Sequence, residues 1–370
     1  MKRILVVFLS LLLIGLLPTT ADALSVSSKG AVLMNGTTGE IIWEKDAHER
    51  LSMASTTKIM TALLLCENAD LNETIITTDE MVRVEGSSMG LLAGDTVSYH
   101  DLLYGMMLAS GNDAANTVAI SLAGNATDFA KMMNDKAKEI GMVNSNFVTP
   151  SGLDDENHYS TAYDMALLAR YALNNENFAA AAGSVSKKLC YGNPPYNRTL
   201  TNHNKLLKTY DGLIGVKTGF TKKSGRCLVT AAKRGNEYLI AVTLGCPDDW
   251  RSHEALLDFG FTQLEDCLLQ TEEYEVTVVG SEKNKVTAFC EDITLSLTEK
   301  ERQGIHKKVY LPRFVYSGVK KGDTVGRVDY ILGEKIIASR DIFAAESANR
   351  IQKKENKFLK CFIMLFKAMV

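Results

Sequence analysis

The sequence lacks the residue patterns typical of disulfide-rich, zinc-binding and nucleic-acid-binding proteins. Its seven cysteines are odd in number and scattered, with no repeated spacing, so we expect neither a disulfide framework nor a zinc site. No cysteine has an obvious activating partner, which argues against a thiol enzyme. The formal net charge of -3 implies no acidic polymer as a partner. No basic face with interleaved aromatic residues is present, which argues against nucleic-acid binding.

The first 23 residues have the pattern of a secretory signal peptide. A basic start at Lys2 and Arg3 precedes an apolar run, and Ala21-Asp22-Ala23 is an A-x-A cleavage pattern. The pattern predicts cleavage after Ala23 and export of the mature chain. A permanent membrane anchor is the alternative, for which the apolar run is short.

Residues 346–370 combine an apolar band of Phe and Leu with interspersed lysines. At helical spacing much of the lysine set segregates from the apolar side, which is typical of an amphipathic helix lying on an anionic membrane. The segment is too short and too charged to span a bilayer. The alternative is a helix that packs on the body of the protein.

The residues between these ends predict two domains of different composition. From 24 to 270, helical segments alternate with strand-like ones, including a hairpin over 30–46 and three consecutive strands after residue 211. This pattern favours an α+β domain, with a helical cluster packed on an antiparallel sheet. Residues 271–345 consist of short strands, which predicts a small β-sandwich-like domain.

A candidate nucleophile occurs in the stretch "ASTTKIM" at residues 54–60. The Ser-x-x-Lys spacing occurs three times, but only Ser55 opens a strongly apolar helix; the three pairs are Ser55 and Lys58, Ser184 and Lys187, and Ser317 and Lys320. Serine needs a base to remove its proton, and residues three apart on a helix share a face. Lys58 can therefore reach the Ser55 hydroxyl. The alternative is an ordinary helix cap.

A rival serine lies in "GSSMG" at residues 86–90, which matches the G-x-S-x-G nucleophile elbow with Ser88 as the nucleophile. That motif requires a strand before it and a helix after it. Gly94 and Asp95 interrupt the following segment, and no parallel βαβ series is present. A loop that borders the site is the prediction for this stretch.

Two further motifs fit a site around Ser55. Ser110-Gly111-Asn112 lies at a break between two predicted helices, and Lys217-Thr218-Gly219 ends a predicted strand. Lys217 supplies a second cation, which lowers the pKa of a neighbouring lysine and lets it act as a base. Gly219 is expected to let an extended peptide approach the edge of the sheet. The alternative is a surface lysine before a turn.

With S-T-T-K, S-G-N, K-T-G and residues 141–166, the chain resembles the penicillin-recognising serine enzymes, and most of all the low-molecular-mass D-alanyl-D-alanine carboxypeptidases of peptidase family S11. The resemblance covers nearly the whole mature chain. It implies a penicillin-binding transpeptidase/β-lactamase-like catalytic domain that removes D-alanine from peptidoglycan stem peptides, β-lactams as covalent inhibitors, and a place on the outer face of the cytoplasmic membrane. No metal or organic cofactor is implied.

The resemblance also implies roles for individual residues. Ser55 would form the acyl-enzyme, Lys58 would be its general base, and Ser110 would relay a proton to the leaving amine. Six further residues are implied to bind substrate. Asn112 would hold both the substrate amide and Lys58, Lys217 would act through its charge, and Thr218 would bind the terminal carboxylate. Gly219 would lie at the sheet edge, Phe220 would contribute its backbone N–H, and Arg251 would be a second carboxylate ligand. Some relatives have His where this chain has Phe220, but a backbone contact does not require the side chain.

Three alternatives from other classes remain open at this point. A class A β-lactamase shares the motifs but needs a glutamate in an E-x-x-L-N segment, and Glu156 does not lie in that pattern. A DD-endopeptidase would use the same site on a different peptide. A non-catalytic cell-wall binding protein would not need an intact set of motif residues.

Overall fold

The computed structural model describes residues 24–270 and 272–351. The predicted signal peptide and residues 352–370 of the predicted amphipathic helix lie outside the described residues. Two compact units are present, the first ending at Gln263 and the second beginning at Leu264. Over the described part of the chain, no helix has the length and apolar character needed to cross a membrane.

The helices of the first unit form most of its core. Ala54–Thr57 is a 3-10 turn that runs directly into α1. The helices are α1 (Lys58–Asn68), α2 (Asp79–Val82), α3 (Tyr99–Leu108), α4 (Asn112–Ala123), α5 (Ala126–Ile140), α6 (Ala162–Ala172), α7 (Glu176–Gly183), α8 (Leu206–Thr209) and α9 (Asp249–Gln263).

The strands of the first unit form two sheets. Their bounds are β1 (Gly30–Asn35), β2 (Ile41–Lys45), β3 (Thr74–Ile76), β4 (Thr96–Ser98), β5 (Ser186–Gly192), β6 (Pro195–Thr201), β7 (Leu213–Thr221), β8 (Gly225–Arg234) and β9 (Glu237–Leu244). The main sheet has the order β2-β1-β9-β8-β7 and the smaller one the order β3-β4-β5-β6. All pairings in the main sheet are antiparallel, and β7 lies at its edge.

The main sheet is covered on both faces, as the alternation along β1 indicates. Val32 and Met34 belong to the core cluster formed with the helices. Leu33 lies on the opposite face, close to Gly260 of α9: a Cβ built on this glycine would be only 2.9 Å from the Leu33 side chain. The predicted helical cluster on an antiparallel sheet is therefore confirmed, with α9 packed on the opposite face. The buried helix α1 contacts α3, α4 and α6.

Local sequence signals account for several of these elements. Asn35 closes the predicted β1–β2 turn by accepting a hydrogen bond from Thr37 N at 2.9 Å. Thr161 caps α6 by accepting from Asp164 N at 3.0 Å, as its position before an apolar run predicts. The small sheet and its β5–β6 hairpin were not predicted, because their strands are short or polar.

The second unit is an all-β fold with one short helix, α10 (Glu299–Gly304), in its described part. Its strands are β10 (Glu265–Leu269), β11 (Tyr274–Val279), β12 (Lys285–Phe289), β13 (Ile293–Leu297), β14 (Ile305–Tyr310), β15 (Val315–Tyr316), β16 (Thr324–Leu332) and β17 (Lys335–Ala344). They form a six-stranded sheet, β14-β16-β17-β12-β11-β15, and the pair β10-β13. Because β10 pairs with β13, this unit begins earlier than the predicted boundary at 271.

The first residues of the predicted C-terminal helix are not helical. Ala348 forms an isolated β-bridge with Val319, and Arg350 forms one with Ser281. Residues 346–351 therefore belong to the β-rich second unit. The remainder of the predicted helix lies outside the described residues.

Candidate active site

The turn before α1 leaves one of its three hydroxyl groups available for chemistry. Thr56 Oγ1 donates to Met53 O at 2.6 Å, and Thr57 Oγ1 donates to Ala54 O at 2.8 Å. Ala54 has a positive φ of 49°, which bends the chain immediately before Ser55. Both threonines thus satisfy the backbone of the turn, while the Ser55 hydroxyl faces a cleft.

Lys58 lies fully buried beside Ser55 and is held by three oxygen atoms. Its Nζ is 3.0 Å from Ser55 Oγ, 2.7 Å from Asn112 Oδ1 and 2.7 Å from Ser151 O. Burial and the charge of Lys217 lower the pKa of Lys58 well below the ordinary lysine value, although Asp113 opposes the shift. A neutral amine can donate to two of these acceptors and take the Ser55 proton on its lone pair.

A second buried lysine, Lys217, lies at the site. Lys217 Nζ donates to Ser110 Oγ at 3.1 Å and to Thr218 O at 2.9 Å. Burial lowers the pKa of Lys217 to about 7. Ser110 itself has a φ of 57°, in the left-handed region, at the predicted break between α3 and α4. The S-G-N and K-T-G motifs therefore meet at this hydrogen bond.

Asn112, the first residue of α4, bridges Lys58 to a loop. Its Oδ1 accepts from Lys58, and its Nδ2 donates to Glu85 O at 2.6 Å. The predicted contact with Lys58 is therefore present in the structure. One of the two N–H groups of Nδ2 donates to the Glu85 carbonyl, and the contact of Asn112 with the substrate amide stays a prediction.

Glycine is needed at positions 152 and 219 because backbone segments closely approach the turn at Ala54–Thr57, here called the Ser55 turn. A Cβ on Gly219 would lie 3.1 Å from Ser55 N, and one on Gly152 would lie 1.9 Å from Ala54 O. Gly219 was expected to make room for a substrate backbone at the sheet edge. In the structure it makes room for the Ser55 turn against β7, and the approach of a substrate backbone stays a prediction.

An open cleft of about 720 Å³ lies in front of these groups. Ser55, Ser110, Thr218, Gly219 and Phe220 line it, so five of the predicted site residues share one surface. Lys58 and Lys217 are buried and hydrogen-bond to Ser55 and Ser110, respectively. Ser87 of the predicted bordering loop also lines the cleft, together with residues that the sequence did not indicate: Thr201, Asn202, His203, Asn204, Lys205, Lys208, Thr209, Arg226, Asp249 and Trp250.

The structure does not bring Arg251 to the cleft, so that prediction is corrected. The Arg251 side chain is 85% exposed and pairs with Asp248 at 3.9 Å. Arg226 lines the cleft instead; its Nε donates to the buried Asp249 carboxylate at 2.8 Å, and its guanidinium lies 5.3 Å from the Trp250 ring. Its position depends on the β7–β8 register, which places Arg226 opposite Phe220.

The rival serine, Ser88, is an exposed loop residue and not a nucleophile elbow. Its hydroxyl donates to Asp113 Oδ2 at 2.5 Å. Asp113 also accepts from the backbone N–H groups of Met89, Gly90 and Leu91 at 2.9–3.0 Å. This buried carboxylate, which sequence reasoning missed, fixes the 86–91 loop against the start of α4. The predicted loop bordering the site is confirmed, because Ser87 lines the cleft.

A neutral histidine, His158, holds in place the loop whose Ser151 carbonyl contacts Lys58. His158 Nδ1 accepts from Val148 N at 2.9 Å, which leaves Nε2–H to donate to Thr57 Oγ1 at 2.8 Å. Burial lowers the pKa of His158 to about 4, so the imidazole is uncharged at neutral pH. The loop then presents Ser151 O to Lys58. The sequence marked this segment through its resemblance but gave no signal for these contacts.

Comparisons with known proteins agree with this arrangement. The family profile described as D-alanyl-D-alanine carboxypeptidase, Peptidase_S11, matches residues 18–248, and the profile of the penicillin-binding protein 5 C-terminal domain matches residues 270–350. The chain is 33% identical over 377 residues to the D-alanyl-D-alanine carboxypeptidase DacF of Bacillus subtilis, covering 95% of each. It is 31% identical to DacC of Escherichia coli, covering 89% of this chain and 86% of that one.

Solved structures give the same result. The structure of penicillin binding protein 5 from Haemophilus influenzae superposes with a TM-score of 0.65 at 26% identity, covering 88% of this chain and 98% of that one. The Streptomyces K15 DD-transpeptidase superposes with a TM-score of 0.61 at 31% identity, covering 64% of this chain and 98% of that one.

The lysine pair predicts a specific pH dependence. Lys217→Gln removes a cation that lowers the pKa of Lys58, so the Lys58 pKa rises. We expect neutral Lys58 to be the base, so the acid limb of the pH profile should move to higher pH in Lys217→Gln, whereas Lys217→Arg should keep its position. The measurement is the rate of covalent labelling by a fluorescent β-lactam as a function of pH. A midpoint that stays in place or falls in Lys217→Gln contradicts the coupling.

Proposed function

The chain belongs to the D-alanyl-D-alanine carboxypeptidases of peptidase family S11, and we propose that Ser55 is the residue it acylates. It is a serine-type D-Ala-D-Ala carboxypeptidase of cell-wall metabolism with a penicillin-binding fold. The observation that carries the proposal is the 3.0 Å contact between Ser55 Oγ and the buried, pKa-lowered amine of Lys58 at the cleft.

In the proposed acylation, neutral Lys58 takes the hydroxyl proton as Ser55 Oγ attacks the carbonyl carbon of the penultimate D-alanine. The backbone N–H groups of Ser55 and Phe220 form the oxyanion hole. The approach of β7 to the Ser55 turn at Gly219 supports this pairing. Removing one donor from such a hole typically costs about a hundredfold or more in rate.

The Ser110–Lys217 pair is proposed to serve the leaving group. As the C–N bond breaks, the departing D-alanine amine needs a proton, and Ser110, whose Oγ accepts a hydrogen bond from Lys217 at 3.1 Å, relays to it the proton that Lys58 took from Ser55. Lys58 is then neutral again, so it can take a proton from the water that attacks the acyl-enzyme and return that proton to Ser55 Oγ as the ester bond breaks. Ser55 is released and the shortened peptide leaves.

Thr218 and Arg226 are proposed to bind the terminal carboxylate of the substrate. Both line the cleft, and the buried Asp249 orients the guanidinium through Nε, which leaves its other N–H groups for a ligand. This assignment gives Arg226 the role that the sequence pattern suggested for Arg251.

The β-lactamase alternative has less support than the carboxypeptidase. A class A enzyme needs a glutamate that activates the deacylating water, and the residue considered for it, Glu156, is exposed and does not line the cleft. Asp249 is the one carboxylate among the described lining residues, and it already accepts a hydrogen bond from Arg226.

We further propose that residues 1–23 direct export and that the basic, amphipathic residues 352–370 bind the outer surface of the membrane. The support is the sequence pattern of both segments. The curated relatives are cell-wall enzymes, which agrees with export.

Ser55→Ala should abolish covalent labelling by fluorescent penicillin and lower D-alanine release from a D-Ala-D-Ala peptide by about four orders of magnitude or more, because the acyl-enzyme can no longer form. Ser88→Ala, as the matched control, should still be labelled. Release is measured by mass spectrometry of a defined pentapeptide. Normal labelling of Ser55→Ala would refute the assignment.

Arg226→Gln should raise KM for the peptide by about tenfold or more, since a charge-assisted contact with the carboxylate is lost. Arg226→Lys should lie between this variant and the wild type. Arg251→Gln, which removes the same charge outside the cleft, should change KM less than about twofold. Steady-state kinetics with D-alanine detection gives both constants, and the opposite ranking of Arg226 and Arg251 would restore the sequence-based assignment.

Removing residues 352–370 should abolish co-sedimentation with anionic liposomes and leave peptide hydrolysis unchanged. Replacing Lys353, Lys354, Lys357 and Lys360 with Gln should weaken sedimentation and reduce its salt dependence, because part of the binding is electrostatic. Equal sedimentation of the full and shortened chains would rule out the anchor.

A further inference from the structure

One wall of the cleft carries positive charge that the protein does not neutralise. Lys205 and Lys208 both line the cleft, and among the described residues no ion pair or hydrogen bond involves the Nζ of either lysine. The single acidic lining residue, Asp249, is buried and bonded to Arg226. The described lining residues thus include three positively charged side chains, Lys205, Lys208 and Arg226, and one carboxylate, Asp249.

The backbone that carries the two lysines is fixed by buried contacts. Asn204 is buried and accepts from Leu206 N at 3.1 Å, and the buried Leu206 side chain anchors α8. Asn202 holds the preceding turn by accepting from Asn204 N at 2.9 Å. The two ammonium groups therefore extend from a well-anchored turn, three residues apart.

The same wall contains an unsatisfied donor. Asn204 lines the cleft and is 2% exposed, and its Nδ2 has no hydrogen-bond partner among the described residues. Buried donors without a partner are uncommon, because each costs free energy comparable to a lost hydrogen bond. A carboxylate on a ligand is the type of acceptor that fits a cleft wall with a neutral donor, Asn204, and two cations, Lys205 and Lys208.

We propose that Lys205, Lys208 and Asn204 form a subsite for a carboxylate on the acyl side of the peptide, so that the enzyme prefers stem peptides with a free acid upstream of D-Ala-D-Ala. This inference rests on the proposed function. A carboxypeptidase releases one D-alanine, whose carboxylate is assigned to Thr218 and Arg226. Any further carboxylate must therefore lie on the part of the peptide that stays on Ser55.

Two peptides that differ by one carboxylate test the subsite: Nα-acetyl-Nε-succinyl-L-Lys-D-Ala-D-Ala and its Nα,Nε-diacetyl analogue. The wild-type enzyme should cleave the succinyl peptide with a kcat/KM about three- to tenfold higher, since exposed ion pairs contribute modestly. The preference should fall with increasing salt. D-alanine release gives kcat/KM for both peptides.

The double variant Lys205→Gln/Lys208→Gln should lose the preference, with kcat/KM for the neutral peptide changed less than about twofold. Lys205→Glu/Lys208→Glu should reverse the preference, because like charges repel the succinyl group. Lys131→Gln/Lys138→Gln, on α5 and outside the cleft, changes net charge equally and should retain it.

Equal cleavage of the two peptides by the wild type, or a preference that survives in Lys205→Gln/Lys208→Gln, would overturn the subsite while leaving the carboxypeptidase assignment intact. Absence of D-alanine release from both peptides by the wild type would overturn the proposed function and the subsite with it.

Discussion

The burial of two lysines in one small region is the constraint on which the rest of the site depends. A buried ammonium is costly unless it is hydrogen-bonded, and two of them repel each other. Lys58 and Lys217 are both buried, and the pKa of each is lowered. The fold must therefore supply oxygen acceptors to both amines while excluding water, and these needs determine which chain segments meet at the cleft.

Several distant segments meet that requirement. The turn before α1 supplies Ser55, α4 supplies Asn112, and the 141–161 loop supplies Ser151 O, all within 3.0 Å of Lys58 Nζ. Their backbones must approach one another very closely, which is why glycine occupies positions 152 and 219. Any larger residue at these positions would push the segment that carries it, the loop at 152 or β7 at 219, away from the Ser55 turn.

The sequence predicted the parts of this site that depend on local spacing. Ser55 and Lys58 share a face because they are three residues apart, and the two other motifs could be recognised as short patterns. Arg226 could not, because its place depends on the pairing register of β7 with β8, and the resemblance implied Arg251 instead. The carbonyl of Ser151 was also missed, since a backbone acceptor carries no residue-type signal. The helical cluster and the main sheet were predicted because their hydrophobic patterns are long. Strands β3 and β4 were not predicted, because each is only a few residues long.

The choice of acceptors around Lys58 follows from the same electrostatics. A hydroxyl, an amide oxygen and a backbone carbonyl surround the amine, and all three are neutral. A carboxylate in any of these positions would stabilise the ammonium and raise the lysine pKa, leaving less of the neutral base. Asp113, the described acid whose charge raises the Lys58 pKa, instead accepts hydrogen bonds from Ser88 and from the backbone of residues 89–91. The Asp113 carboxylate thereby orders the loop that borders the cleft, and the pKa of Lys58 stays low, as the proposed role of this lysine as the base for Ser55 requires.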